Sequence, residues 1–284
     1  MQPTLRTLLI LGRISNLPTV WSNCLAGWWL GGAGHYERLP FLLAGATCLY
    51  TGGMFLNDAM DAEFDRLHRK ERPIPSGGIG LETVWKWGQS WLALGGLCLI
   101  WLRPATGCLG VLLILSILLY DAVHKRISFS PVLIGICRFL LYVISASVAN
   151  NGVTGWSIWC GLALAAYVAG LSFFARGESL HRKLNYWPAF LMSAPIILAL
   201  IMDNNSYREA GLLLSAVLVL WTIRALRQTL RSAEPKIGLT VSWLLAGIVL
   251  VDWLAVADAP RPVSGIFIAL FLTALLLQRV VPAT

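Results

Sequence analysis

Asn57-Asp58-Ala59-Met60-Asp61-Ala62-Glu63-Phe64-Asp65-Arg66-Leu67-His68-Arg69-Lys70-Glu71-Arg72-Pro73-Ile74-Pro75-Ser76-Gly77 closes one of the chain's long apolar runs. Three aspartates and an asparagine stand at the end of that run, directly before a basic loop bounded by prolines. Carboxylates near a membrane interior cost several kcal/mol (~) unless something cationic compensates them. Asn57, Asp61 and Asp65 lie four residues apart and Asp58 three before Asp61, so a helix places them on one face. The dipole at a helix C-terminus disfavours carboxylates, which adds to the need for a cation. Four oxygen donors on one face, followed by arginine and lysine, suit a divalent cation holding an anionic substrate such as a diphosphate. Pro73 and Pro75 stop the helix and stiffen the loop, while Gly77 and Gly78 allow a tight turn, which would hold Arg72 towards the carboxylates.

Outward from this stretch the chain is apolar. Of 284 residues, 57% are hydrophobic and 13% charged, with a mean hydropathy of +0.70. A soluble domain uses roughly 45–50% apolar residues. Apolar segments fall at about 17–34, 39–58, 84–102, 105–121, 131–149, 155–175, 186–202, 208–226, 238–257 and 263–281. Most are long enough to cross a hydrocarbon core of roughly 30 Å as helices. The expected fold is therefore an all-α polytopic transmembrane bundle of nine to ten spans, formed by residues 1–284 as a single domain.

With the N-terminus inside, the inner side carries 17 lysines and arginines and the outer loops only Arg38, Arg103, Arg208 and Arg261. This positive-inside bias puts the acidic stretch at the cytoplasmic face. The net charge of +8 then reflects topology and contact with anionic lipid heads, not nucleic-acid binding. No early segment resembles a cleavable signal or an organellar transit peptide, so a bacterial inner membrane is the expected location. The six cysteines all fall in apolar segments without CxxC or Cys/His spacing, and read as small core residues.

Residues 57–77 resemble the first Asp-rich motif of the UbiA superfamily of intramembrane prenyltransferases, including the interval from Asp65 to Arg72-Pro73. The resemblance extends to Gly12-Arg13-Ile14-Ser15-Asn16-Leu17-Pro18-Thr19 and to Tyr120-Asp121-Ala122-Val123-His124-Lys125-Arg126. The second half of the chain matches in hydropathy alone. The resemblance implies a nine-helix bundle around a central cavity open to lipid. It implies transfer of a prenyl group from an isoprenoid diphosphate to a small aromatic or lipid-like acceptor, with Mg²⁺ as cofactor. By the same resemblance Asn57, Asp58, Asp61 and Asp65 hold the metal, Asp58, Asp61 and Lys125 are catalytic, and Arg72 and Lys125 neutralise the leaving group. Arg13 and Asn16 line the acceptor or diphosphate side.

The superfamily's second Asp-rich motif is reduced here to Phe173-Phe174-Ala175-Arg176-Gly177-Glu178-Ser179-Leu180-His181-Arg182-Lys183, where Glu178 is the one carboxylate available to a metal. Arg176 there, and Arg138 about seven residues into the fifth span, are expected to face an anionic group in a polar cavity. Asp252 reads as a pairing or interface residue, and the four histidines read as solvated loop residues. The rivals are an enzyme acting on another polyprenyl or lipid phosphate, and a carrier or accessory subunit that binds a prenylated or aromatic molecule without turning it over.

Overall fold

The computed structural model describes residues 4–179, 187–202, 205–230 and 237–282, with side chains not described at 177–179, 205–206, 228–230 and 237. A short helix α1 (Leu5–Leu11) and a 3-10 turn (Ile14–Asn16) lead into α2 (Leu17–Leu30). Helix α3 (Leu39–Met60) continues through Asp61 into α4 (Ala62–His68), followed by α5 (Leu81–Leu102), α6 (Pro104–Val123), α7 (Ser130–Val148) and α8 (Gly155–Ser179). The remainder is α9 (Trp187–Met192), α10 (Ala194–Ile201), α11 (Asn205–Leu230), α12 (Ile237–Ala255) and α13 (Arg261–Leu277). All ten apolar segments of the sequence are helical, and the described residues contain no strand.

Six helices are long and apolar enough to cross a bilayer, and with two shorter apolar helices they make the chain an integral membrane protein. The expected spans depart from this at particular places. Helix α2 ends at Leu30, because Gly32 to His35 all adopt left-handed backbone (φ 47° to 88°) that no α-helix continues. The seventh apolar segment is broken between α9 and α10, where Pro195 in the first turn of α10 has no N–H to give to the turn before it.

Helices pack closely where they carry glycine. A Cβ on Gly52 would lie 2.9 Å from the Gly88 carbonyl oxygen, and one on Gly95 2.9 Å from that of Gly45, so α3 and α5 meet backbone to backbone. Helix α2 meets α7 in the same way through Gly27. Without a hydrophobic force between helices in lipid, such small-residue contacts supply the attraction through dispersion. One buried cluster joins α8, α11 and α12, and another joins α2, α3, α5, α6 and α7. Exposed leucines and tryptophans such as Trp101 and Leu220 cover the outside, as a lipid-facing surface requires. Under α4 a third cluster of Leu11, Phe55, Ala62, Ile74 and Val84 seats the acidic end of α3 against the loop that follows.

Candidate functional site

Helix α3 ends at Met60 and α4 begins at Ala62, and across this junction the Asp61 amide is bonded to the Asn57 carbonyl (3.0 Å) and the Asp65 amide to that of Asp61 (2.9 Å). Asn57, Asp61 and Asp65 therefore share the face that their spacing of four predicts. All four polar residues of the motif are buried: Asn57 5% exposed, Asp58 5%, Asp61 6% and Asp65 1%.

Asp58, Asp61 and Asp65 are each met by a cation from another segment. After α4 the chain turns back through Arg72, Pro73 and the left-handed Gly77, with the Ser76 amide on the Arg72 carbonyl and the Gly78 amide on that of Pro73. This places Arg72 Nη1 2.8 Å from Asp58 Oδ1 and 3.3 Å from Asp65 Oδ2. Arg13 approaches from the opposite side, with Nη2 3.1 Å from Asp58 Oδ1 and 3.3 Å from Asn57 Oδ1. Its backbone is left-handed (φ 42°, ψ 50°), an uncommon conformation for a residue with a side chain, and that turn aims the guanidinium inward. From the end of α6, Lys125 Nζ lies 2.7 Å from Asp61 Oδ1 and His124 Nε2 3.3 Å from Asp61 Oδ2.

His124 is the correction to its reading as a solvated loop residue. Its Nδ1 lies 3.1 Å from the Asp121 carbonyl and its Nε2 faces a carboxylate. Both partners only accept, so both ring nitrogens must donate, and the imidazole is held as a cation. Burial pulls its pKa down, but the hydrogen bond and charge of Asp61 prevail and raise it. Against the upward push of burial, the hydrogen bonds and charges of His124 and Lys125 together lower the Asp61 pKa. For Asp65 burial prevails over Arg72, and its pKa is raised.

Asp121 is the residue that sequence reasoning quoted but did not place in the site. It is 4% exposed, and its Oδ1 accepts from Asn57 Nδ2 at 3.0 Å. Its Oδ2, like Asp65 Oδ1, is buried with no donor among the described residues. The signal was available, since an acid one turn from the end of an apolar helix repeats the logic applied to Asp58. Two orphaned carboxylate oxygens beside Asn57, Asp58 and Asp61 fit the all-oxygen donor set of a hard divalent cation. Among the described residues no three His, Cys, Asp or Glu side chains converge as a ready cage. The arginines and Lys125 lie between the acids, so a metal would enter by exchanging partners with them.

The other expected site residues are dispersed. Asn16 is buried in the 3-10 turn beside Arg13. Arg176 donates through Nη1 to the Ile127 carbonyl and Ser130 Oγ, both at 2.7 Å, which ties α8 to the start of α7. Glu178 falls in the last turn of α8, and its side chain lies outside the described residues; so do His181, Arg182 and Lys183. Arg138 is not brought to the acidic cluster. It bonds to Thr19 and Asn23 of α2, next to Asp252, which is fully buried rather than at an interface.

A family model described as the UbiA prenyltransferase family matches residues 16–283. A digeranylgeranylglyceryl phosphate synthase from Ignicoccus hospitalis is 41% identical over 24% of this chain and 23% of its own length. A protoheme IX farnesyltransferase from Alkalihalophilus pseudofirmus is 29% identical over 63% of this chain and 51% of its own. The chain thus spans between about a quarter and a half of the length of these curated relatives. Among solved structures, the apo structure of a UbiA homologue from Aeropyrum pernix K1 superposes with a TM-score of 0.67 at 15% identity, over 88% of this chain and 98% of that one. A structure concerning digeranylgeranylglyceryl phosphate synthase in membranes gives 0.61 at 18% identity, over 95% and 98%. At these identities the structural likeness is one of fold.

Proposed function

The chain belongs to the UbiA prenyltransferase family, and from that membership we propose that it transfers a prenyl group from an isoprenoid diphosphate to a small aromatic or lipid-like acceptor, with Mg²⁺, at the cytoplasmic leaflet. The observation that carries this reading is the set of buried carboxylates Asp58, Asp61 and Asp65 at the end of α3 and in α4, each neutralised by a cation from a different segment. Fixed cations that can exchange acidic partners for phosphate oxygens are what cleavage of an allylic diphosphate needs, because negative charge grows on the departing oxygens.

Arg72, Lys125 and Arg13 stabilise that growing charge, and Lys125 and His124 sit where a leaving diphosphate would meet α6. Asn57, Asp58, Asp61 and Asp65, joined by Asp121, would hold Mg²⁺, with Glu178 from α8 as a further candidate donor. When bound, the metal supplies Lewis-acid neutralisation of the diphosphate. The surrounding helices would exclude water from the allylic carbons, and Tyr50 and Tyr120 lie close enough to Arg13 to act on its charge.

The test offers purified protein an isoprenoid diphosphate with an acceptor and follows pyrophosphate release with and without Mg²⁺. Release that depends on the metal and falls by about 10²–10³ in Asp61→Asn is expected, by analogy with removal of one transition-state electrostatic contact. Tight binding of the diphosphate with no release would make the protein a carrier.

A further inference from the structure

Residues 124–129, which join α6 to α7, present two faces. Inward, Lys125 Nζ and His124 Nε2 lie on the Asp61 carboxylate. From behind, Arg176 donates to the Ile127 carbonyl and to Ser130 Oγ, and Ser130 Oγ donates to the His124 carbonyl at 3.1 Å. Outward, Arg126 is exposed, and its guanidinium has no hydrogen-bond or ion-pair partner among the described residues. Beside it Ile127 is 45% exposed and Phe129 74%.

The outward face extends the surface that meets lipid. On α6, Leu112, Leu115, Leu119 and Ala122 are exposed at intervals of three and four, a single stripe that runs down to the loop. On α7, Phe129, Val132 and Ile136 are exposed at the same kind of interval and carry the stripe up the neighbouring helix. Lipid must cover the span residues of both stripes, so continuity makes lipid, not a soluble protein, the occupant of the end where they meet. On the orientation proposed above that end lies at the cytoplasmic leaflet, whose headgroups are anionic and attract basic side chains. An exposed phenylalanine at this depth rests among the upper acyl carbons, and an arginine beside it reaches the phosphates.

We propose that Arg126, Ile127 and Phe129 seat the headgroup and upper acyl chain of an anionic phospholipid of the inner leaflet, and that this contact fixes the turn presenting Lys125 and His124 to Asp61. The link to the reaction rests on the prenyl-transfer reading above. The coupling is short. Lys125 and Arg126 are adjacent, and the amides of Arg126 and Ile127 both bond to the Val123 carbonyl, at 2.9 and 3.0 Å, so the turn moves as a unit. Lys125, with its side chain 34% exposed, is also the least buried of the cations on the acids, and its position depends most on the loop that carries it.

The test uses the full-length protein in nanodiscs of phosphatidylcholine alone or mixed with phosphatidylglycerol. Phe129→p-benzoylphenylalanine keeps an aromatic ring and makes it a photo-cross-linker. In the mixed membrane it should capture phosphatidylglycerol about fivefold above its share of the lipid, the worth of one basic side chain at an anionic surface. Arg126→Gln in the same background should remove that excess. The second readout is equilibrium binding of geranylgeranyl diphosphate with Mg²⁺. In the mixed membrane Arg126→Gln should bind at least threefold more weakly than the wild type, and in phosphatidylcholine alone the two should agree within twofold. No captured lipid or no excess of phosphatidylglycerol, as a protein partner on this face would give, overturns the proposal, and so does an excess that survives Arg126→Gln. Equal binding by the two proteins in the mixed membrane, or an equal deficit in both membranes, overturns it too. Failure of the prenyl-transfer reading is seen separately, as no Mg²⁺-dependent diphosphate binding in either membrane while the cross-linking excess persists.

Discussion

Replacing Arg72 by glutamine removes the cation shared by Asp58 and Asp65, and the structure sets the size of the loss. The three side chains are 16%, 7% and 2% exposed. Asp58 keeps Arg13 at 3.1 Å. Asp65 keeps no described ion pair and only the more distant charges of Arg69 and Lys125, because Arg72 is its one described ion-pair partner and its Oδ1 already lacks a donor. Attraction between unit charges at about 4 Å with an effective dielectric of about 20 is roughly 4 kcal/mol. Removing one member of a buried pair costs about 3–5 kcal/mol. Because Arg72 retains some contact with water, a loss near the lower end, about 3 kcal/mol, is expected. Asp65→Asn in the same background should recover about 2 kcal/mol of it, since the uncompensated charge is then gone. The assay is reversible unfolding in mixed micelles, run as a double-mutant cycle. In the Arg72→Gln variant the deficit should also shrink as the pH falls. Asp65 already has a raised pKa, so the folded state holds its proton at a pH where the unfolded chain has released it, and acid then favours folding. A coupling energy below about 0.5 kcal/mol, or a deficit that grows on acidification, would refute the view that Arg72 exists to neutralise these acids.

Two further outcomes follow from contacts elsewhere. His124 has a raised pKa and Asp61 a lowered one, both against the push of burial, through their ion pair and, for Asp61, through Lys125 as well. The histidine's contribution is complete below its unfolded value of about 6.5 and is lost as pH rises through its folded value. The aspartate's is complete above about 3.9 and is lost as pH falls through its folded value. The metal-free protein should therefore gain from this pair mainly between about pH 4 and 6.5. His124→Gln should remove about 1 kcal/mol there and flatten the alkaline limb of a melting-temperature profile, and an unchanged profile would contradict the pairing. A Cβ at Gly27 would lie 2.6 Å from the Tyr142 carbonyl and 2.9 Å from Ser145 Cβ. Gly27→Ala should cost about 1–3 kcal/mol by forcing α2 off α7, whereas Gly155→Ala, with nothing within 4 Å, should cost nothing measurable in the same thermal assay.

What the sequence made legible was whatever depends on one helix at a time. Hydropathy is a sum of transfer energies, so every apolar segment became a helix, and a spacing of four became a shared face for Asn57, Asp61 and Asp65. The proline-bounded loop returned Arg72 to the acids for an equally local reason, the turn at Gly77. The partners of those acids on other helices were not legible in this way. His124 and Asp121 enter the site because the ends of α6 and α3 meet, and a single loop histidine carries no mark of the carboxylate it will face. Arg138 is the sharpest case. Its place in a span announced a polar role, but hydropathy prices its charge and not its neighbours. The interposed Asn23, which keeps the guanidinium from closing on Asp252, comes from a different helix and differs from any other polar residue only through its contacts. Separation by one amide replaces an ion pair with a chain of hydrogen bonds, and that distinction exists only in three dimensions.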